Sequence, residues 1–338
     1  MAGIKTNFSE EDIRPRNLLS GQQAALQHDI DFLTSRSKNF VHVNCPACNE
    51  NKFTAKYRKN GFEYVECGTC KTFYANPRPP AELLGEFYAQ SANYDYWNKY
   101  IFPASENTRR ERIFKPRVDS ILGICQKYNS KVDSLLEIGA GFGTFCVELA
   151  SRKIFKKILA VEPTPALAET CRQKGIETIE KPIEQIHLDE QDRFDVIVNF
   201  EVIEHIFSPH DFIMQCKKTL KQGGLFMITC PNGAGFDVVT LGEVSNTIDH
   251  EHLNYFNPAS LPLLLEKCGF EVLEVMTPGV LDADLVRNAV LEGKYSLEGQ
   301  PFLKKILIDE WEENGERFQN YLKENKLSSN MWVVAKNR

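Results

Sequence analysis

Four cysteines fall in two pairs, Cys45-Pro-Ala-Cys48 and Cys67-Gly-Thr-Cys70, with eighteen residues between the pairs. Each C-x-x-C turn aims two thiolates at one point, and two such turns complete a tetrahedral donor set of the zinc-ribbon type. Four thiolates close the coordination shell, so a Zn2+ on Cys45, Cys48, Cys67 and Cys70 is expected to be structural rather than catalytic. The competing reading is a redox pair, but neither pair precedes the helix of a βαβ unit. Cys125, Cys146, Cys171, Cys216, Cys230 and Cys268 stand singly in apolar or helical contexts and read as small buried hydrophobes.

A second constellation is the run LLEIGAGFG at 135–143. An apolar strand enters a turn built on Gly139, Gly141 and Gly143, which opens a helix. Glycines permit the sharp bend and a close backbone approach to a ligand. The helix start offers unpaired N–H groups and a positive dipole end to an anionic group. Alone, G-x-G-x-G fits any nucleotide-type ligand. Glu162 sharpens it, because it ends the next strand, nineteen residues after Gly143, where a carboxylate accepts hydrogen bonds from ribose hydroxyls. Glu137, inside the end of the first strand, is placed to meet an amino group of a zwitterionic cofactor. A dinucleotide site would more often read G-x-G-x-x-G.

The elements that must position these residues follow from hydrophobic periodicity. Strands are expected at 52–58 and 62–66 around Gly61 within the ribbon, and at 134–138, 157–161, 177–180, 194–200, 224–230, 270–277 and 331–336. Helices are expected at 21–35, 143–152, 165–174, 210–220, 258–268 and 301–325, with a helical pattern over 81–129. Asn76-Pro-Arg-Pro-Pro80 reads as a stiff extended connector. The cluster Phe87, Tyr88, Tyr94, Tyr96, Trp97, Tyr100 and Phe102 is either inter-helix core or a lid over a small-molecule pocket. The alternation of strands and helices from 132 onward implies a doubly wound α/β sheet.

The segments LLEIGAGFGTF, AVEP, FDVIVNFEVIEH and LKQGGLFMITCPN resemble, in order and spacing, the motifs of class I S-adenosylmethionine-dependent methyltransferases. The resemblance covers 132–277 and the final strand. It implies a Rossmann-like seven-stranded sheet whose last strand runs antiparallel between its neighbours. It also implies that Glu137, Gly139, Ala140, Gly141 and Gly143 cradle the methionyl part of S-adenosylmethionine. Glu162 and Pro163 would then lie at the ribose, Pro182 and Ile183 (with Glu184) at the adenine, and Asn199 and Phe200 near the sulfonium.

The ribbon, the N-P-R-P connector and this core together resemble zinc-containing sugar methyltransferases of deoxysugar and surface-glycan pathways. Asp249-His-Glu-His252, followed by Leu-Asn-Tyr-Phe256, resembles their catalytic loop, which in the C-methyltransferases reads Tyr-Asp-Glu-His. Glu251 and His252 match its last two positions, whereas Asp249 and His250 depart from it, which leaves oxygen methylation open beside carbon methylation. A histidine oriented by a carboxylate suits removal of a proton from a hydroxyl or an acidic carbon. His252 with Glu251 is the candidate base, and His250 is the second choice. Glu201-Val-Ile-Glu204-His205 resembles ubiquinone-biosynthesis O-methyltransferases. Its two carboxylates and imidazole have three readings: a divalent-cation site, a structural or substrate contact, or His205 as the base.

The chain therefore divides into a polar arm with a short helix at 1–40, a zinc ribbon at 41–80, a helical lid or linker at 81–130, and a methyltransferase domain at 131–338 with a helical insertion at 279–330. Its 338 residues carry a net charge of −6, and 25% are charged, which excludes wholesale disorder. The apolar runs are shorter than the ~18 residues of a membrane span. No secretory signal is visible at 1–20, so a cytoplasmic protein is expected. The acidic balance argues against a nucleic-acid partner. RNA or protein methylation and quinone or natural-product O-methylation stand as alternatives to a sugar acceptor. The ribbon carries six cationic and three acidic side chains over 40–79, either as a solvated surface or as an attraction for a phosphorylated acceptor.

Overall fold

The computed structural model describes residues 12–338, so the first eleven residues of the polar arm lie outside the described residues. Eleven strands are described: β1 (Phe53–Lys59), β2 (Phe62–Cys67), β3 (Phe73–Ala75), β4 (Ser134–Ile138), β5 (Lys157–Val161), β6 (Thr178–Ile179), β7 (Phe194–Phe200), β8 (Leu220–Pro231), β9 (Asn254–Tyr255), β10 (Phe270–Met276) and β11 (Asn330–Asn337). Seven form one sheet in the order β10-β11-β8-β7-β4-β5-β6, and four form a second in the order β1-β2-β3-β9.

The large sheet has the expected α/β, Rossmann-like architecture. β4 pairs with β5, and β5 with β6, in parallel. β11 runs antiparallel to both of its neighbours, β10 and β8. Every residue of β4 and of β7 is buried, as continuous apolar runs such as Phe-Asp-Val-Ile-Val-Asn-Phe require of strands covered on both faces. The one acid in the middle of that run, Asp195, accepts the backbone N–H and hydroxyl of Ser134 at 3.0 and 2.9 Å.

Two compact units divide the chain. The first holds the described part of 1–36 with Ala81–His187 and Phe194–Ile197; the second holds Ser37–Pro80, Leu188–Arg193 and Val198–Arg338. In the first unit, helix Leu19–Thr34 presents the buried carboxylate of Asp29 to the start of helix Ala92–Tyr96. Asp29 accepts from the Ser91 hydroxyl (2.6 Å) and from the N–H groups of Ala92 and Asn93 (2.9 and 3.0 Å). An anion at a helix start meets both the orphan donors and the positive dipole end. Of the aromatic cluster, Phe87 and Phe102 are buried, whereas Tyr100 is 51% exposed. Phe102 stacks flat on Phe142 of the glycine run, with centroids 3.7 Å apart.

In the second unit, β1 and β2 form a hairpin turned by Asn60 and Gly61, both at positive φ, which is the Asn-Gly signature of a type I′ turn. The connector at 76–80 is not a free spacer. Val41 and Arg78 exchange backbone hydrogen bonds at 2.9 and 3.0 Å, and the Asn76 side chain accepts from the Val43 N–H at 3.0 Å. The single helix expected over 301–325 is broken, because Glu310 leaves helical geometry (φ −123°, ψ 35°) before helix Trp311–Glu324. Helices Asp282–Leu291 and Trp311–Glu324 close a small core of Leu241, Ala283, Val286, Leu297, Leu307 and Leu322.

Candidate functional site

The paired cysteines meet at one point. Their four sulfurs lie within 4.8 Å of one another, with Cys45 Sγ 3.4 Å from Cys70 Sγ and Cys48 Sγ 3.5 Å from Cys67 Sγ. Tetrahedral zinc, with bonds of about 2.3 Å, places its sulfurs about 3.8 Å apart, so the donor set fits a tetrahedral dication. Each pair sits on a tight turn. Asn49 and Lys71 take positive φ, and their N–H groups donate to the carbonyls of Cys45 and Cys67 at 2.9 and 3.2 Å. The short Cys45–Cys70 contact couples the two thiols, holding Cys70 below the ordinary thiol range while burial and the same contact push Cys45 up.

In the first unit, Gly139, Gly141 and Gly143 all take positive φ (75°, 54° and 69°). At Gly143 a Cβ would also come within 3.0 Å of Cys171 Sγ, so both conformation and space require glycine there. Glu162 closes the turn: its two oxygens accept from the N–H of Gly141 at 2.8 Å and of Thr164 at 2.9 Å. Burial pushes this carboxyl up and the two backbone donors oppose the push. Glu137 is buried and accepts from Cys146 Sγ at 2.9 Å; burial pushes it up to about 8. The Thr144 hydroxyl, at the helix start, is buried without a hydrogen-bond partner. Ala140 and Ile183 are buried, Pro182 is half-buried and Pro163 is exposed.

Asn199 and Phe200 end β7, in the part belonging to the second unit. Asn199 is wholly buried, yet neither atom of its amide has a hydrogen-bond partner. A buried amide left so costs on the order of 1–3 kcal/mol unless a ligand satisfies it.

The histidines cluster in the second unit. His205 Nδ1 lies 3.1 Å from the Glu251 carbonyl, and His252 Nδ1 lies 2.8 Å from the Thr247 carbonyl. A carbonyl only accepts, so both imidazoles carry their proton on Nδ1 and present Nε2 as the acceptor nitrogen. Their rings meet edge to face with centroids 4.7 Å apart. Burial, and then the neighbouring His252, push His205 down to about 3, so it stays neutral.

The carboxylate beside His252 is Asp249, not the Glu251 expected from the loop pattern. Asp249 Oδ2 lies 3.5 Å from His252 Nδ1, whereas Glu251 Oε1 faces His250 Nε2 at 3.7 Å. Burial pushes Asp249 up, but His252, His250 and His205 together hold it below its ordinary value. His250 is fully enclosed.

The two carboxylates of the Glu201–His205 run take different hydrogen-bond partners while staying close enough to repel each other. Glu201 turns to β8 and β11, accepting from Thr229 Oγ1 (2.6 Å) and Asn330 Nδ2 (3.2 Å). Glu204 stays with the imidazoles, 4.0 Å from His205 Nε2. It is wholly buried, and burial and then Glu201 push it well above the carboxylate range. The convergent donor set is therefore Glu204, His205 and His252, within 4.8 Å. Spacing within 201–205 could not find it, because His252 arrives from a distant loop. Asp249 was legible only as a departure from a motif, and the Thr247 carbonyl had no sequence signal.

Residues 107–275 match a family described as "Methyltransferase domain". A Mycolicibacterium smegmatis protein named "Probable S-adenosylmethionine-dependent methyltransferase" is 36% identical over 83 residues, 24% of this chain and 30% of the relative. A ubiquinone biosynthesis O-methyltransferase of Maricaulis maris is 32% identical over 104 residues, 29% of this chain and 40% of the relative. The chain spans less than half the length of these curated relatives. The solved structure of an S-adenosylmethionine-dependent methyltransferase from Clostridium acetobutylicum is similar at a TM-score of 0.48 and 14% identity, covering 71% of this chain and 98% of that one.

Proposed function

Because this chain belongs to the methyltransferase-domain family, we propose that it transfers a methyl group from S-adenosylmethionine to a small-molecule acceptor, and that the acceptor is a sugar, nucleotide-linked or glycan-bound. The observation that carries the transfer chemistry is the facing pair of Nδ1-protonated imidazoles, His205 and His252, with Asp249 beside the second. The bound cofactor supplies an activated methyl on a sulfonium. What the protein must add is in-line placement and removal of one proton from the acceptor. His252 Nε2 takes that proton, and Asp249 stabilises the resulting imidazolium. His205, held neutral, accepts a hydrogen bond without competing for the charge.

Glu137, the glycine turn and Glu162 suit the cofactor. Glu162 has lone pairs left for two ribose hydroxyls after its two backbone bonds. The unsatisfied Asn199 amide and Thr144 hydroxyl are the kind of groups a polar ligand completes. Pro182 and Ile183 are assigned to the adenine and Phe200 to the sulfonium side. Zn2+ on the four cysteines holds the ribbon and takes no part in transfer. The six cysteines outside the metal site, all buried and without disulfides, suit a cytoplasmic setting, and among the described residues no helix is long and apolar enough to cross a membrane.

The pH dependence of cofactor binding tests the role of Glu137. In the ligand-free chain its carboxyl titrates near 8, because burial disfavours the anion. An ammonium partner favours the anion, so binding expels a proton below that pH. Affinity should therefore fall up to tenfold per pH unit as pH drops below about 8. Calorimetry should show this slope in the native chain and its loss in Glu137→Gln. In the ligand-free chain the sign is opposite: the raised pKa makes stability decline as pH rises from the ordinary carboxylate range to about 8.

A second acceptor class, a hydroxylated ring, is favoured by the convergence of Glu204, His205 and His252, a set that suits a divalent cation assisting a hydroxyl. One screen separates the two. Methyl-labelled cofactor is offered with nucleotide sugars and with catechols, with and without added Mg2+, Mn2+ or Zn2+, and the methyl is located by mass spectrometry and NMR. Label on a nucleotide sugar supports the primary proposal. Metal-dependent label on catechols alone replaces it.

A further inference from the structure

Arg78 reads in the sequence as one cation of a proline-rich connector, but the fold buries it completely. A buried guanidinium is costly unless its donors are satisfied. Here Nε donates to the Ala75 carbonyl (3.0 Å), Nη2 to the Leu253 carbonyl (3.2 Å), and Nη1 to the Phe207 carbonyl (3.3 Å) and to Asn254 Oδ1 (2.9 Å). One rigid fork thus joins the end of β3, the turn after His205 and the strand after His252.

Asn254 extends the clamp. Its amide donates to the carbonyls of Ile203 (3.2 Å), Glu204 (3.3 Å) and Ile206 (2.8 Å). Its neighbour Leu253 donates its N–H to the Glu204 carbonyl at 2.8 Å. Together these bonds fasten the segment carrying His205 to the segment carrying His252. The ribbon sheet completes the mount. β3 pairs with β9 in the register Phe73↔Tyr255 and Tyr74↔Asn254, and the rings of Phe73 and Tyr255 stack 4.1 Å apart. Tyr255 Oη in turn accepts from the Asp249 N–H (3.0 Å) and donates to the Thr247 carbonyl (3.2 Å), the carbonyl that orients His252.

We propose that Arg78 and Asn254 are positioning residues that set the mutual orientation of His205 and His252, and that the cysteine ribbon serves chiefly to hold this clamp. The effect on turnover rests on the proposed proton-taking role of the histidines; the geometry does not.

The test uses the full chain with 15N-labelled histidine. In the native protein His205 and His252 should both show the Nδ1–H tautomer, assigned by their single replacement with glutamine. Asn254→Ala should abolish that signature at both rings, while zinc content and S-adenosylmethionine affinity stay unchanged. Retention of both signatures in that variant overturns the proposal. If Asn254→Ala does not fold, Arg78→Lys decides: it keeps the charge but cannot span the four acceptors, so loss of the tautomer supports the clamp and retention overturns it. In the same variants kcat should fall with the cofactor KM unchanged. Lost tautomers with unchanged kcat would uphold the clamp and refute the base assignment instead.

Discussion

His252→Ala is expected to lower turnover about 100- to 10,000-fold, the usual span for a lost general base, with cofactor affinity unchanged. The two imidazoles differ in how readily each can carry a charge. Both are anchored through Nδ1 to a carbonyl, and both present Nε2. A base must also carry the positive charge it acquires. His205 is pushed down to about 3, so charging it at neutral pH is unfavourable by several pH units. His252 has Asp249 at 3.5 Å, and Asp249 is held ionised despite its burial. Asp249→Asn should therefore reproduce most of the His252→Ala loss, whereas Glu251→Gln should have a much smaller effect. Steady-state rates for these variants with the acceptor found in the screen check the assignment. Full turnover in His252→Ala would remove His252 as the base.

The second large effect concerns the metal. Cys67→Ser, or stripping with a strong chelator, should collapse the ribbon, since a structural zinc contributes on the order of 10 kcal/mol to the folding of such small units. Turnover should fall more than tenfold, and titrated S-adenosylmethionine should still bind. The reason is the position of the cysteines relative to the histidine loop. Cys67 ends β2, which pairs with β3, and β3 pairs with β9, immediately after His252. The Cys70 carbonyl accepts from Asn257 Nδ2 at 3.0 Å, and the Cys48 carbonyl accepts from Lys267 Nζ at 2.8 Å. Losing the knuckles therefore loosens β9 through β3 and releases the segment that follows it at Asn257 and Lys267. Native protein should contain about one zinc per chain by elemental analysis; turnover that persists in metal-free protein would contradict the coupling.

Much of the large sheet was legible because its central strands are buried and mostly apolar. β7, with seven buried residues, and β4, running straight into its glycines, announce themselves by composition. The small sheet was half legible. β1 and β2 flank an Asn-Gly turn, but β3 has three residues and β9 two, too few to show a period of two. Their pairing joins segments some 180 residues apart, which local pattern cannot foresee. The site follows the same division. The glycine turn and Glu162 meet in the structure, where the Gly141 N–H donates to Glu162 at 2.8 Å, and their spacing made that contact legible. The histidine cluster depends on which carboxylate faces which ring, and that is set within the 247–252 loop, where Asp249 accepts from the N–H groups of Glu251 and His252. Glu251 matched a motif, yet Asp249 stands beside His252; Glu201 matched a run of potential ligands, yet it accepts from Thr229 and Asn330 beside Glu204 and does not join the imidazoles.

In the proposed mechanism the first unit holds S-adenosylmethionine on the glycine turn and Glu162. Titrating the cofactor calorimetrically into the full chain tests it most directly. One site per chain, weakened at least about tenfold in Glu162→Ala through loss of charge-assisted hydrogen bonds to the ribose, is the predicted result. No binding at millimolar cofactor, or equal affinity in the native chain and Glu162→Ala, would contradict it.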